Sequence, residues 1–232
     1  MTMNNNSKKS VLIIGATGAL GLQLLRHMAE QSSINEVHVM ARDPSKLEAK
    51  DAALTKTVQK GNAREARDIE RALLATRANY VILATGSGND TSKSDIREAT
   101  GRALASVLVK PNFSQVQCVV MSSHGASETK VIVGFGIGKF VEYHLRHVFD
   151  DHTKQEAQFD VKSLKERTLI VRPTSLTDDK PAKSLDFVVE FDGCKKGPSI
   201  NVDRSDIGEW VAREISTKPA IVGRKVCLTN AK

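Results

Sequence analysis

Short apolar runs alternate along this chain with longer segments in which apolar residues recur every three or four positions. Val11–Ile14 is such a run, and Ala19–Gln31, with Leu20, Leu24 and Leu25 on one face, is such a segment. The pattern predicts a strand and then an amphipathic helix. The same reading predicts strands at Val37–Met40, Lys56–Gln59, Tyr80–Ala84, Val116–Met121, Leu169–Val171 and Lys225–Leu228. Helices are predicted at Pro44–Lys50, Ala63–Ala75, Asp95–Val109, Phe149–Leu164 and Ile207–Ser216. Asp43 and Pro44 suit the cap and first position of the second helix, and Pro111 ends the fourth. A glycine-rich stretch, Gly134–Gly138, breaks the pattern before the long polar helix. Phe187–Phe191 and Ser199–Val202 read as short strands, a hairpin outside the main sheet being one arrangement. Strands separated by helices of this length imply βαβ units and a parallel sheet.

The junction of the first strand and helix carries the clearest chemistry. It reads VLIIGATGALG, with glycines at 15, 18 and 21. The spacing is G-x-x-G-x-x-G, and each glycine has a physical task. Gly15 turns the chain off the strand, Gly18 lets backbone approach a pyrophosphate, and Gly21 lets the helix pack close to the sheet. The open N–H groups at the helix start, Thr17 and Ala19 among their neighbours, then attract phosphate. With phosphate binding at the first turn, the expected architecture is α/β: a doubly wound parallel sheet of the Rossmann type, a single domain over residues 10–232 with a small C-terminal substrate-side region. The polar start, MTMNNNSKKS, is read as a tail covering residues 1–9.

Composition narrows the function classes. The chain has 232 residues, 40% hydrophobic and 26% charged, which suits one globular domain. No apolar run approaches the roughly 20 residues of a membrane span, and no signal-peptide core is present, so a cytoplasmic protein without a membrane partner is expected. Cys118, Cys194 and Cys227 are odd in number and lack metal-ligand spacing, so no metal is expected. The net charge of +7 comes from scattered residues, and aromatics make up only 4%. Without a basic run interleaved with stacking rings, a phosphorylated cofactor or an acidic substrate explains the charge better than nucleic acid.

The choice of dinucleotide turns on the residue after the second strand. An acidic residue there would bind a ribose 2′-OH; this chain has Arg42, followed by Ser45 and Lys46, and Asp43 is expected to be turned into a helix cap. NADP is therefore preferred over NAD. Asn62 would lie near the adenine, or would close a turn. Ala84, Thr85 and Gly86 would let the backbone approach the cofactor riboses.

Taken in order, GATGALG at 15–21, ARDPSKL at 41–47, GN at 61–62, LATG at 83–86, VVMSS at 119–123 and LIVRPTSLTD at 169–178 resemble the atypical short-chain dehydrogenase/reductases of the NmrA-like branch. The layout is most similar to the biliverdin reductase B type of flavin reductase, on a DDH segment at 150–152 and a G-P-S turn at 197–199. The resemblance implies that Ser122 or Ser123, with Ser123 preferred as catalytic, lies beside the nicotinamide. It places Pro173 and Thr174 along the same ring. It also implies a lysine eighteen positions before Arg172, which is Lys154, holding the nicotinamide ribose and serving catalysis. The tyrosine position of the family's pair is then Asp150, a departure that removes the usual proton donor. His124, His152 and Tyr143 are other proton sources.

The leading expectation is an NADPH-dependent reductase passing hydride to a small conjugated or aromatic acceptor, of flavin, quinone, enone or carbonyl type. That acceptor would lie between the Ser123–Gly138 and Thr174–Lys183 loops. The alternatives are a non-catalytic redox sensor that binds the dinucleotide and a protein partner, and an isomerase or lyase on the same fold.

Overall fold

The computed structural model describes residues 9–88, 90–178 and 188–231. In chain order its elements are β1 (Lys9–Ile14), α1 (Ala19–Glu30), β2 (Ile34–Ala41), α2 (Ala49–Ala52), β3 (Thr57–Lys60), α3 (Ala66–Thr76), β4 (Tyr80–Leu83), α4 (Ile96–Leu108) and β5 (Gln117–Met121). There follow α5 (Ile137–His144), α6 (Arg146–Ala157), α7 (Lys162–Lys165), β6 (Thr168–Pro173), β7 (Ser175–Thr177), β8 (Val188–Phe191), β9 (Asn201–Asp203), α8 (Arg204–Thr217) and β10 (Arg224–Asn230).

Eight strands form one sheet in the order β3-β2-β1-β4-β5-β6-β10-β8. All neighbours are parallel except β10 and β8, which run antiparallel at one edge. The order reverses between β1 and β4, the switch point at which a doubly wound sheet opens a crevice at the carboxyl ends of its strands. Alternation along β1 sends its side chains to opposite faces, as the two-residue period of a strand requires. Val11 and Ile13 join Leu24, Leu25, Met28, Ile207, Val211 and Ile215 under α1 and α8. Leu12 and Ile14 join Ile69, Leu73, Leu104 and Leu108 under α3 and α4. Both faces are thus covered, which is why the strands read as continuous apolar runs.

Several sequence expectations are corrected. Lys9 belongs to β1 and not to a tail. Its ammonium donates to the carbonyls of Ile215, Ser216 and Lys218 at 2.7, 2.8 and 2.9 Å, satisfying the orphan acceptors at the end of α8. Lys9→Met should lower unfolding free energy by about 1 kcal/mol in a urea titration, the usual net value of such contacts. The other eight residues assigned to the tail lie outside the described residues. The hairpin is not formed: β8 pairs with β10 in the main sheet, and β9 pairs in parallel with β7. Pro44–Lys46 is a 3₁₀ turn separate from α2. The helix predicted at Phe149–Leu164 ends at Ala157, and helix begins twelve residues earlier than expected, at Ile137, with a break at Leu145 between α5 and α6.

Candidate functional site

A groove of about 450 Å³ lies at the switch point. It is lined by Ile14, Gly15, Thr17 and Gly18 after β1, by Met40 to Asp43 after β2, by Gly61 to Ala63 after β3, and by Ala84 to Ser87 after β4. Lys46, Ser94 and Ile96 complete it. Of the residues singled out in the sequence, it brings together Gly15, Thr17, Gly18, Arg42, Asn62, Ala84, Thr85 and Gly86.

The glycines are required by space. Gly15 has φ +96°, and a Cβ there would stand 2.5 Å from the carbonyl oxygen of Ala84. A Cβ on Gly21 would overlap the carbonyl of Gly15, so the first turn of α1 sits directly against the β1 turn. Gly18 is the N-cap of α1 and supplies no side-chain cap, and the first turn carries no acidic residue. Ala19 starts the helix behind it. Backbone N–H groups left open at such a cradle suit a pyrophosphate.

Beyond β2, Asp43 behaves as its cap position requires. Its carboxylate accepts from the N–H and hydroxyl of Ser45, at 3.2 and 2.6 Å. Those two bonds, the hydroxyl's first, hold its carboxyl below the usual carboxylate range. Arg42 is exposed and lines the groove with Lys46. The Asn62 side-chain oxygen accepts from the N–H of Arg64 at 3.1 Å, so it closes a turn, while its own N–H donates to Asp68. The Thr85 hydroxyl meets that of Thr100 at 2.7 Å.

A second cavity, about 290 Å³, lies over the carboxyl ends of β5 and β6, beside the groove in strand order. Its walls are mostly apolar, with Val131, Ile137, Val141, Leu145, Phe149 and Phe191 prominent. Ser123, His124 and Thr174 stand among them, and Ser175, Ser199 and Asn201 add polar groups. The His124 ring meets Phe191 edge-on at 5.1 Å, and its Nε2 lies 3.2 Å from the Gly193 carbonyl. Burial pushes the His124 imidazole below its ordinary pKa, so it is neutral at pH 7. The Ser123–Gly138 loop expected beside the acceptor supplies Ser123, His124, Val131 and Ile137 to this wall. Val141, Leu145 and Phe149 are the part that sequence reading missed, and 179–183 of the second expected loop lie outside the described residues. The apolar period running through Ile137, Val141, Leu145 and Phe149 was the signal, masked by the glycines before it.

Other expected site residues stand elsewhere. Lys154 lies on the outer face of α6, exposed, with its ammonium 2.7 Å from Asp150; it lines neither cavity. The count back from Arg172 picks a residue that the helix turns to solvent. Ser122 is buried and donates to Glu156 at 2.6 Å. The backbone groups expected to meet the nicotinamide are already paired: the Pro173 carbonyl accepts from His124 N–H, and Thr174 N–H donates to Leu228. Tyr143 is exposed under the Arg146 guanidinium, 4.5 Å from its ring centre. His152 is buried between α6 and α4, where loss of water, and then the charge of Arg97, push its pKa down to about 3. A proton source of that kind would be empty at neutral pH.

Arg172 on β6 centres an ion cluster that is buried at Arg172 and Glu156 and exposed at Glu128. The Arg172 guanidinium donates to Glu156 at 2.9 and 2.5 Å and to Glu128 at 2.7 and 3.1 Å. Arg172 and Glu156 side chains are 2% and 1% exposed. Burial opposes the charge on Glu156, yet hydrogen bonds from Arg172 and Ser122 outweigh it and hold its pKa below the ordinary value. The bond from Arg172 holds Glu128 down to about 2. Cys118 and Cys227 are buried free thiols, pushed up by burial to about 12 and about 11. Among the described residues no group of histidine, cysteine and carboxylate side chains could hold a metal, and no helix is long and apolar enough to cross a membrane.

Solved structures share this architecture. One provisionally named an NAD-dependent epimerase/dehydratase, from Bacillus halodurans, is 18% identical, with a TM-score of 0.74 over 97% of this chain and 95% of that one. A short-chain dehydrogenase/reductase from Veillonella parvula in complex with NADP is 13% identical, with a TM-score of 0.72 over 95% and 94%. One provisionally named an NADH-flavin reductase, from Streptococcus pneumoniae, is 14% identical, with a TM-score of 0.70 over 96% and 99%. A comparison with curated proteins gives no match. The NAD(P)H-binding family model matches residues 15–218, from the first glycine of the β1 turn to the end of α8, and the chain belongs to that family.

Proposed function

We propose that this protein is an NADPH-dependent reductase acting on a small conjugated or aromatic acceptor. The observation that carries the proposal is the pairing of two cavities along one edge of the sheet. A groove with a glycine cradle and the charged side chains of Arg42, Asp43 and Lys46 lies over β1, β2, β3 and β4, and an apolar cavity without such side chains among its described lining lies over β5 and β6. The groove residues fit a dinucleotide: Gly15, Gly18 and the open start of α1 for the pyrophosphate, and Arg42 with Lys46 for a 2′-phosphate. Bound NADPH would supply a hydride, and a proton from water would complete reduction of the acceptor. The protein's part is to bind and orient, and the apolar walls exclude water from the acceptor ring. No tyrosine stands among the described residues of either cavity, which favours acceptors that stabilise added electrons in their own conjugated system.

Arg42 and Lys46 make the cofactor preference testable. Neither is ion-paired among the described residues, while Asp43 is held by Ser45. Arg42→Ala should weaken NADPH binding about tenfold, near the value of one charge-assisted contact, and leave NADH binding within about twofold. Fluorescence or calorimetric titration with both cofactors reads the difference. Equal losses for NADPH and NADH would remove the 2′-phosphate role. Oxidation of NADPH with added flavin, quinone and enone acceptors tests the reaction itself. Tight cofactor binding with no turnover across that panel would replace the reductase reading with a dinucleotide sensor.

A further inference from the structure

We infer that the cavity over β5 and β6 takes an uncharged, carbonyl-bearing ring compound of the quinone or cyclic-enone class, and discriminates against phosphorylated acceptors such as flavin mononucleotide. The inference rests on the reductase reading and names the acceptor class within it. Its ground is the contrast between the two cavities. The dinucleotide groove presents Arg42, Asp43 and Lys46. The described lining of the second cavity contains no lysine, arginine, aspartate or glutamate. Its single ionisable side chain is His124, packed on Phe191 and against the Gly193 carbonyl. A phosphate or carboxylate drawn into this space would lose its hydration and meet no cation among the described residues.

What the cavity does offer matches neutral carbonyl oxygens. The Ser175 hydroxyl and the Asn201 side-chain amide are donors on its rim, both on exposed residues. The Ser123 and Ser199 hydroxyls donate to the His124 and Asn201 carbonyls. Few donors on apolar walls are the usual composition of a site that orients an apolar ligand by one or two carbonyl groups. Thr174 is committed to Thr229 at 3.1 Å, so it shapes the wall and adds no donor.

The test is binding before turnover. Purified protein saturated with NADP⁺ is dialysed against 1,4-naphthoquinone and, separately, against flavin mononucleotide. Naphthoquinone should bind at least tenfold more tightly. Two variants place a charge in the cavity: Val141→Asp within the wall, and Ile200→Asp on an exposed loop residue that can be replaced without burying charge in the core. Each should weaken naphthoquinone binding tenfold or more and leave NADPH affinity unchanged. Flavin mononucleotide binding as tightly as naphthoquinone, or naphthoquinone binding that survives both substitutions, would overturn the inference. The failure of the parent reading looks different. Naphthoquinone that binds as described but is not reduced by NADPH leaves the pocket assignment standing and removes the reductase. NADPH turnover of flavin mononucleotide with no naphthoquinone binding does the reverse.

Discussion

Gly15→Ala should abolish dinucleotide binding and destabilise the protein together. At φ +96° an alanine is strained by about 1–2 kcal/mol relative to glycine. Its Cβ would also stand 2.5 Å from the Ala84 carbonyl oxygen, a backbone atom that no rotamer change can move. The ends of β1 and β4 must separate, and overpacking of that kind costs about a further 1–3 kcal/mol. We expect a loss of about 3 kcal/mol in unfolding free energy, and an NADPH affinity lower by about 100-fold, or 2.7 kcal/mol. Gly88→Ala is the control, because Gly88 also has positive φ (+65°) but meets nothing within 4 Å. It should cost about 1 kcal/mol and leave binding alone. Equal effects at the two positions would show that the crevice between β1 and β4 is not where the cofactor lies.

That crevice was readable because the information is local. An apolar strand, three glycines and an amphipathic segment fall within twenty residues, and each glycine answers a contact made with near neighbours or with the adjacent strand. The parallel core was readable for a related reason: burial on both faces turns β1, β4 and β5 into unbroken apolar runs. The helix cap at Asp43 is likewise set by residues two positions apart.

The acceptor side was less legible because its contacts are long-range and its signals ambiguous. Gly134–Gly138 reads as a break, yet Gly136 (φ +76°) is the N-cap of α5, and Gly138 lies on that helix where a side chain would overlap the Val131 carbonyl. Glycines that start a helix and seat it look, in sequence, like glycines that end one. The short segments β8 and β9 could have paired with each other on pattern alone; β8 instead pairs with β10 and β9 with β7. Lys154 was selected by distance along the chain, which carries no information about helix face. Burial decides the face: Asp151, His152, Gln155 and Glu156 turn inward, and Lys154 turns out.

The largest loss of stability is expected from Arg172→Met. Arg172 is the hub of a cluster in which Glu156 is almost fully buried, and removing the guanidinium leaves that carboxylate with two serine hydroxyls and the more distant Lys225 ammonium, 3.7 Å away. Stranding a buried charge costs about 3–5 kcal/mol, more than the intact pair contributes over a well-packed apolar replacement. The pH dependence separates this cause from lost packing. In the native chain Glu128 and Glu156 both ionise more readily folded than unfolded, so their contribution is present above the ordinary glutamate range near pH 4.5 and is lost as pH falls below it, for Glu128 through about 2. In the variant Glu156 should ionise less readily folded than unfolded, and stability should then fall as pH rises above about 4.5. Urea denaturation of both proteins from about pH 2.5 to pH 8 reads the two slopes: the native protein gains stability as pH rises to about 4.5, and the variant loses it above that. Arg172→Met together with Glu156→Gln should recover part of the loss and flatten the variant's slope, because no charge is then left buried. A double variant as unstable as Arg172→Met alone, with an unchanged pH slope, would assign the loss to the cavity left by the arginine and not to the stranded carboxylate.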